Sequence, residues 1–404
     1  MREPLAASEL PRGFTFAGLH CGLKKSKLDL GMLLSEVPAA AAAVFTTNQV
    51  VAAPVVLCRA HLRKARQKIR GVIVNSGNAN CCSGPEGHAA SVATAARLAQ
   101  ELGDADPSQI LVCSTGVIGA PLPVDKILAA VPALVRSRKA DAGSFEQFAR
   151  AIMTTDTVPK WAAARVRVGG NRVRIAACAK GSGMIHPNMA TMFAFLATDA
   201  AVAPPLLSRM LRAVVGPTFN SITVDGDTST NDTVALLANG QSGAPSVGAP
   251  GGDYEKFCSA LEDVCKSLAL AIVADGEGAQ RVIEVEVRGA ASDRAAGQLA
   301  RTIANSPLVK TALAGADPNW GRILAAAGRS GVKFNPERVD VWLAGVEVCR
   351  GGREHPFDEI AAHEKMLGKY VPIVVDLHSG EGHARMWTCD LTKEYVHINA
   401  SYRT

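Results

Sequence analysis

Residues 180–196 read Lys180-Gly181-Ser182-Gly183-Met184-Ile185-His186-Pro187-Asn188-Met189-Ala190-Thr191-Met192-Phe193-Ala194-Phe195-Leu196. The first part of this stretch is rich in glycine and contains a proline, which predicts a loop. The residues from Met192 onward are apolar on both alternating faces, which predicts a strand buried on both sides. Thr191 lies at the junction between the two. A hydroxyl at this place can serve either as an ordinary strand start or as a nucleophile.

Strands and helices alternate on both sides of this stretch. The hydrophobic pattern predicts paired strands between residues 13 and 53, and further strands at 71–74, 110–113, 164–168, 173–177, 192–197 and 282–287. Helical periodicity predicts helices at 88–102, 124–135, 204–215, 254–275, 293–304 and 357–367. The last hundred residues are expected to hold several strands and only the last of these helices. Such alternation indicates layered α/β lobes.

The composition bounds the class of protein. A chain of 404 residues is long for one core and suits two lobes. Hydrophobic residues make up 48% and charged residues 20%, which is typical of a well-buried globular protein. Aromatic residues are only 5%, and no basic tract is interleaved with them, which argues against a single-stranded nucleic-acid platform. The net charge of +6 is modest, and its densest source, residues 61–70, is interpreted as a solvated helix face.

The cysteines and the amino terminus indicate the cellular compartment of the protein. The ten cysteines are scattered without a CxxC pair, which favours free thiols in a reducing cytosol. Residues 1–13 lack the apolar core of a signal peptide, and no apolar run approaches the roughly 18 residues of a membrane span. We therefore expect a soluble cytoplasmic protein, and the histidine spacing predicts no metal site.

Two loops resemble ligand-binding motifs only superficially. Gly181-Ser182-Gly183 lacks the glycine spacing and the Lys-Ser/Thr pair of a phosphate-binding loop. The tract Asp225 to Asp232 begins like a calcium loop, but Thr230 stands where a glycine is required and Leu236 where a bidentate glutamate is needed. We interpret both as turns.

Thr191 has the chemistry of an amino-terminal nucleophile. A threonine hydroxyl can attack an acyl group when an amine is its base, and the nearest amine is its own α-amino group, freed by cutting the preceding bond. That amine has a reference pKa of about 7.7 to 8, which suits proton transfer near neutral pH. Ala190 before it leaves the carbonyl unhindered. On the residues alone, a structural threonine at the start of a strand is the favoured interpretation, and the nucleophile is the alternative.

Several motifs follow one another in order along the whole chain. They are Asn75-Ser76-Gly77-Asn78-Ala79-Asn80, Ser114-Thr115-Gly116-Val117-Ile118-Gly119, Met153-Thr154-Thr155-Asp156-Thr157, residues 180–196, residues 220–228 and Asn399-Ala400-Ser401-Tyr402-Arg403-Thr404. Together they closely resemble the ornithine acetyltransferase (glutamate N-acetyltransferase) family of arginine biosynthesis.

The resemblance implies that the chain cuts itself between Ala190 and Thr191, giving chains of residues 1–190 and 191–404 that stay together. It makes Thr191 the catalytic nucleophile, and it gives Thr115 and Gly116 the stabilisation of the oxyanion. The substrate-binding residues that it implies are Thr154, Lys180, Thr191, Glu277, Asn399 and Thr404, with Thr155 and Thr157 as alternatives to Thr154 in the same tract.

The fold implied by the resemblance is α/β, a layered α-β-β-α sandwich with a smaller carboxyl-terminal lobe. The implied reaction transfers an acetyl group from N-acetylornithine to glutamate through acetyl-Thr191, without a cofactor, in a dimer of cleaved protomers that contacts neither nucleic acid nor membrane. Acetyl-coenzyme A as a second donor is left open. Two alternatives remain: an amino-terminal-threonine peptidase or amidase, which passes the acyl group to water, and a binding protein without activity.

Overall fold

Two β-sheets organise the chain in a computed structural model that describes residues 5–186, 192–248 and 251–401. The strands of the first sheet are β1 (Phe14–Leu19), β2 (Leu30–Phe45), β3 (Lys68–Asn78), β4 (Ile110–Val117), β5 (Lys160–Val168), β6 (Asn171–Lys180), β7 (Phe193–Thr198) and β8 (Thr233–Ala238). Their order is β4-β3-β2-β8-β7-β6-β5, and β1 pairs with β2.

The long strand β2 divides this sheet into two layers. Its first half pairs with β1 and β3, and its last six residues pair with β8, with a register shift between Leu34 and Ala39. Side chains of β7 show that the two halves face each other. Phe193 and Phe195 pack in one cluster with residues of β3 and β4, whereas Ala194 and Leu196 belong to another cluster on the opposite face. The strand is therefore buried on both sides, as its sequence predicts.

Helices pack against the folded sheet, most of them on its two outer faces. They are α1 (Ala53–Lys64), α2 (Gly84–Leu102), α3 (Val124–Ser137), α4 (Ala142–Ala151), α5 (Pro204–Val215) and α6 (Gly252–Ala274). Helices α2 and α3 pack on the half formed by β1 to β4, and α5 and α6 pack on the other half. In α5, apolar residues recur every three or four positions and face the sheet. The layers are helix, strand, strand and helix, which confirms the predicted sandwich.

A smaller second lobe follows. Its strands are β9 (Val282–Ala290), β10 (Asp340–Leu343), β11 (Val346–Arg350), β12 (Arg353–Glu354), β13 (Tyr370–Asp376) and β14 (Gly382–Cys389), in the order β12-β11-β10-β13-β9-β14. Its helices are α7 (Asp293–Ala304), α8 (Pro307–Ala314), α9 (Trp320–Gly328) and α10 (Glu359–Met366). Alternate residues of β9 face an apolar core shared with these helices. The last helix, α11 (Lys393–Ser401), follows β14.

The sequence-based predictions fail at identifiable places. Residues 61–70 do not form one helix face, because Arg66 and Gln67 adopt positive φ angles after α1 ends and Ile69 and Arg70 belong to β3. Arg70 is buried and pairs with Asp104 at 2.7 Å. The last hundred residues contain α8, α9 and α11 besides the expected helix; α8 and α9 are bordered by proline and glycine residues that resemble turn signals. Among the described residues, no helix is long and apolar enough to cross a membrane.

Candidate active site

A cavity of about 110 Å³ lies where the two lobes meet. Its walls come from the ends of β4 and β6, from the loop after α6 and from α11. The residues that line it are Ala79, Thr115, Gly116, Ile118, Thr154, Thr155, Lys180, Gly183, Met184, Asp225, Asp227, Ser229, Thr230, Asn231, Glu277, Tyr395 and Asn399. Segments that are far apart in sequence therefore converge at one place.

Most of the residues predicted for the site meet at this cavity. Those that line it are Thr115, Gly116, Thr154, Lys180, Glu277 and Asn399. The other three predicted residues, Ala190, Thr191 and Thr404, lie outside the described residues. On the carboxyl-terminal side of the predicted cut, Phe193 pairs in register with Lys180, and the Lys180 ammonium lies 5.2 Å from the centre of the Phe193 ring. The strand that follows the junction thus starts beside a cavity residue.

Lys180 and Thr115 form a buried pair at the centre of the wall. The Lys180 Nζ donates a hydrogen bond to Thr115 Oγ1 at 2.7 Å. Burial lowers the pKa of Lys180, and the nearby carboxylates of Asp156 and Asp232 oppose this shift. Because an ammonium group can only donate, the Thr115 oxygen accepts, and its own proton stays available for another acceptor. This arrangement provides a polarised hydroxyl donor.

Gly116, next to Thr115, requires glycine. Its φ angle is +131°, and a Cβ at this position would lie 2.4 Å from the carbonyl carbon of Gly77. The pairing of β3 with β4 is also irregular here, with a register shift between Gly77 and Asn78. The backbone can therefore turn at the end of β4, where Thr115 and Gly116 both reach the cavity.

The cavity wall also contains three acidic residues, Asp225, Asp227 and Glu277. Glu277 is held by two contacts: its N-H donates to the Ser182 carbonyl at 2.9 Å, and its Oε2 accepts from Asn399 Nδ2 at 2.8 Å. A Cβ at Gly183 would lie 2.4 Å from the same oxygen, so glycine leaves room for this carboxylate. The α11 residue Asn399 is thereby tied to the loop after α6.

A buried ion triad supports one wall. Lys160 Nζ lies 2.6 Å from Asp156 Oδ1 and 2.5 Å from Asp275 Oδ2. Asp156 also accepts from the N-H groups of Thr154, at 3.0 Å, and Gly181, at 2.8 Å. Burial would raise the pKa of Asp156, but Lys160 and Lys180 outweigh it and hold the pKa below its usual value. The ionised carboxylate fixes two backbone segments beside the cavity.

The structure narrows the choice among the three threonines of this tract. Thr154 and Thr155 line the cavity. The Thr157 hydroxyl instead donates to Asp275, and its N-H donates to the same carboxylate at 3.1 Å. Thr157 is therefore a support of the ion triad, and Thr154 and Thr155 remain the candidates for substrate contact.

Sequence reasoning missed part of the cavity wall. The tract from Asp225 to Asp232, interpreted from the sequence as a turn, contributes five lining residues, and Tyr395 of α11 adds another. Burial raises the pKa of Asp225 to about 6, and burial together with Asp225 and Glu277 raises the pKa of Tyr395. The density of acidic and hydroxyl residues in residues 225–232 was a visible signal, but it does not say which of them face a cavity. Within the described ranges, no cluster of three or more His, Cys, Asp or Glu is arranged to hold a metal ion.

Comparison with known proteins identifies the family. Residues 15–404 match the ArgJ family. The chain belongs to the ArgJ family. It is 49% identical over 397 residues to the arginine biosynthesis bifunctional protein ArgJ of Symbiobacterium thermophilum, covering 98% of each chain. It is 47% identical over 409 residues to the protein of the same name from Thermosynechococcus vestitus, covering 97% of each.

A solved member of the ArgJ family agrees with this membership. The crystal structure of the arginine biosynthesis bifunctional protein from Bacillus halodurans is 44% identical, has a TM-score of 0.50, and covers 52% of this chain and 98% of that one. ArgJ membership confirms the resemblance inferred from the sequence motifs. It also confirms the prediction that the chain is an acetyltransferase enzyme, because the family is one of acetyltransferases.

Proposed function

We propose that this ArgJ-family enzyme transfers the acetyl group of N2-acetyl-L-ornithine to L-glutamate, giving L-ornithine and N-acetyl-L-glutamate. The observation that carries the proposal is the contact between Lys180 and Thr115 beside Gly116, in the wall of a cavity that the Glu277 carboxylate also lines. A polarised hydroxyl next to a glycine backbone suits an oxyanion. The carboxylate suits the side-chain ammonium of ornithine.

The proposed enzyme first cuts its own chain between Ala190 and Thr191. The strand that follows this bond begins beside Lys180, which supports a junction near the cavity. The length of the Bacillus halodurans chain also supports a cut. Nearly the whole of that chain covers 52% of the 404 residues here, which is about 210, and residues 191–404 number 214, which is 404 minus 190.

The two proposed chains have reason to stay together. Strand β6 of residues 1–190 pairs with β7 of residues 191–404, and β2 pairs with β8, so the halves share one sheet. The ion pair between Lys160 and Asp275 also crosses from one half to the other. A cut at one loop removes none of these contacts. Assembly of the cleaved protomers into a dimer is part of the proposal.

The proposed transfer has two steps. The free α-amino group of Thr191 takes the Oγ proton while Oγ attacks the acetyl carbonyl, and Thr115 and Gly116 donate hydrogen bonds to the resulting oxyanion. The tetrahedral intermediate collapses, the amine of ornithine leaves with the transferred proton, and acetyl-Thr191 remains. The neutral amine of glutamate then attacks this ester, and its surplus proton returns to the Thr191 oxygen through the same amine.

Charge assigns the proposed substrate contacts. Lys180 keeps donors besides the one used on Thr115, so it can also bind a substrate carboxylate together with the hydroxyl of Thr154 or Thr155. Glu277, held by Asn399, faces the ammonium of ornithine in this proposal. Thr404 completes the proposed set of substrate contacts. Its place in the chain is three residues beyond the end of α11.

The proposal also includes a cytoplasmic location and a second acetyl donor. All ten cysteines, which lie within the described ranges, are free thiols, and this supports a reducing compartment such as the cytoplasm. Acetyl-coenzyme A is a second candidate donor, supported by the word bifunctional in the names of the two relatives.

The test is an assay of the purified protein with glutamate and either N-acetylornithine or acetyl-coenzyme A, scoring N-acetylglutamate and acetate. We expect N-acetylglutamate from N-acetylornithine, and two fragments on a denaturing gel. Acetate without N-acetylglutamate would instead identify a hydrolase, and an intact chain without turnover would identify a binding protein. Thr191→Ala should stay uncut and inactive. Two fragments from that variant would exclude Thr191 as the cleaving residue.

A further inference from the structure

The loop of residues 181–186 follows β6 and leads toward the proposed cut. It places Gly183 and Met184 in the cavity wall. Met184 has a φ of +56°, a conformation that is uncommon for residues with a side chain. Such backbone persists only where surrounding contacts hold it. The contacts that hold Met184 therefore fix the backbone of this loop, a few residues before the proposed cut.

Those contacts come from the other side of the proposed cut. Asp225 Oδ2 accepts from the Met184 N-H at 2.5 Å, and Oδ1 accepts from the Ile185 N-H at 2.9 Å. Next to this pair, the Val224 N-H and the Thr223 hydroxyl donate to the Ile185 carbonyl at 2.8 Å and 3.0 Å. Four hydrogen bonds thus join residues 184–185 to residues 223–225.

We propose that Asp225 is a positioning residue for self-cleavage, whose carboxylate clamps the N-H groups of Met184 and Ile185 and so fixes the backbone that precedes the proposed cut. This inference rests on the proposed self-cleavage. After the cut, the same clamp keeps Met184 of the first chain in the cavity wall. Asp225 acts through the loop and takes no part in the bond changes.

The charge of Asp225 matters because two donors point at its two oxygens. An asparagine would offer one acceptor, while its NH2 group would oppose the second N-H. Burial of this carboxylate disfavours its ionised form, and its pKa is raised to about 6. The protein therefore keeps a carboxylate where a neutral side chain would be easier to bury. That choice is explained if both N-H groups must be held.

Other titratable groups surround Asp225. Asp227 lies in the same loop, Tyr395 of α11 places its hydroxyl 3.3 Å from Oδ2, and Cys389 ends β14 nearby. Lys180 and Glu277 line the same cavity, and His186 follows the clamped Ile185, with burial lowering its pKa. Among the described residues, only the carboxyl of Asp225 accepts from the N-H groups of both Met184 and Ile185. Without the Asp225 carboxyl, the cleavage rate should no longer fall in acid as a result of protonation of the clamp.

A matched control exists in Asp390. Its Oδ1 accepts from the N-H groups of Gln280 at 2.8 Å and Arg281 at 3.0 Å, and the residue is buried. It thus also clamps two successive N-H groups, but it does not line the cavity. Asp390→Asn therefore reports what the loss of any buried carboxylate clamp does to the protein.

The experiment follows cleavage of freshly synthesised full-length chain on denaturing gels, between about pH 5 and pH 8, beside thermal unfolding of each variant. Loss of the clamp in Asp225→Asn should slow cleavage about 10- to 100-fold at neutral pH, the equivalent of one hydrogen bond to a charged group. Asp390→Asn should cut at close to the wild-type rate. The wild-type rate should fall below about pH 6 as Asp225 takes a proton, and Asp225→Asn should lack that fall.

The outcomes distinguish a failure of the positioning role of Asp225 from a failure of the proposed self-cleavage. If Asp225→Asn cuts at the wild-type rate, slows no more than Asp390→Asn, or keeps the acid-dependent fall, then Asp225 has no positioning role. If Asp225→Asn does not fold, Asp225→Glu replaces it. Glutamate retains both oxygens, so this variant should cut and keep the fall below about pH 6; a pH-independent rate would contradict the proposal. If the wild-type chain itself stays intact, the proposed self-cleavage is wrong.

Discussion

Lys160 in the first lobe is 1% exposed and contacts two buried carboxylates, whereas Arg385 in the second lobe is 46% exposed and contacts Glu284 and Glu286 on the open face of its sheet. The second lobe buries an apolar core and leaves these charges in water. Its buried ionic groups Lys310 and Asp390 lie at the end of β14, near the first lobe.

This difference shows what buried charge is used for in this protein. Burying an ion pair costs desolvation free energy that a hydrophobic replacement would avoid, so such a pair is weak evidence of stabilisation. In the first lobe, the pair of Lys160 with Asp156 instead lies where backbone is fixed beside the cavity, because Asp156 also accepts from the N-H groups of Thr154 and Gly181. The second lobe has no such task on its open face. Variants of the two lobes should therefore differ sharply in effect.

The largest effect is expected from Lys160→Met. The substitution leaves Asp156 and Asp275 buried without their cation, which should lower the free energy of unfolding by about 3 to 5 kcal/mol. Acetyl transfer should fall as well, because Thr154 and Gly181 lose their anchor. Denaturant unfolding and the transfer assay measure the two effects. A loss of stability below about 1 kcal/mol would show that the triad behaves like an exposed pair.

Thr115→Val should affect the rate more than the stability. Valine keeps the shape of threonine but removes the hydroxyl that Lys180 polarises, so acetyl transfer should fall about 100- to 1000-fold, as for a lost oxyanion donor. Thr115→Ser retains a hydroxyl and is the control. Steady-state kinetics of both variants check the prediction, and equal rates for valine and serine would refute a role of the hydroxyl.

The pH dependence of stability offers a smaller test of buried charge. The folded-state pKa of Asp225, about 6, exceeds its reference value of about 3.9, so between these values the folded protein binds a proton that the unfolded chain does not. The contribution of Asp225 to the free energy of unfolding should therefore rise, by about 2 to 3 kcal/mol, as pH falls from 7 to about 4.

Asp225→Asn isolates this contribution. Its unfolding free energy, compared with that of the wild type at each pH, should lack the rise. A constant difference between the two proteins would mean that Asp225 titrates alike in the folded and unfolded chains. The positioning role predicts that the cleavage rate of the wild type falls in acid. The contribution of Asp225 to the free energy of unfolding should rise over the same range, so the two quantities should change in opposite directions.

The smallest effect is expected from Arg385→Gln. The two ion pairs that it removes are half exposed, so the free energy of unfolding should change by at most about 1 kcal/mol, and less in high salt. Urea unfolding at low and high ionic strength measures this. A salt-independent loss of more than about 2 kcal/mol would erase the contrast between the lobes.

The sequence predicted the helices and strands whose local signals are strong. Residues 204–215 begin with two prolines and carry a regular apolar stripe, and the structure has α5 over the same residues. Gly103 ends α2 in a left-handed conformation, as its position predicts. Short helices such as α8 and α9 were not predicted, because the proline and glycine residues at their ends resemble those of turns. The residues of the candidate site came from the family resemblance, since no pattern in the sequence links Glu277 to Asn399.

Residue patterns along the chain are enough to show that β7 is buried on both faces, that loops rich in glycine and small polar residues follow the strands, and that the motifs belong to one enzyme family. Which polar groups meet depends on the folded arrangement. Lys180 contacts Thr115 across 65 residues, and Asn399 contacts Glu277 across 122. The physical reason is that side-chain periodicity reports the local backbone and its burial, whereas contacts between distant segments follow from how the layers and the two lobes pack together.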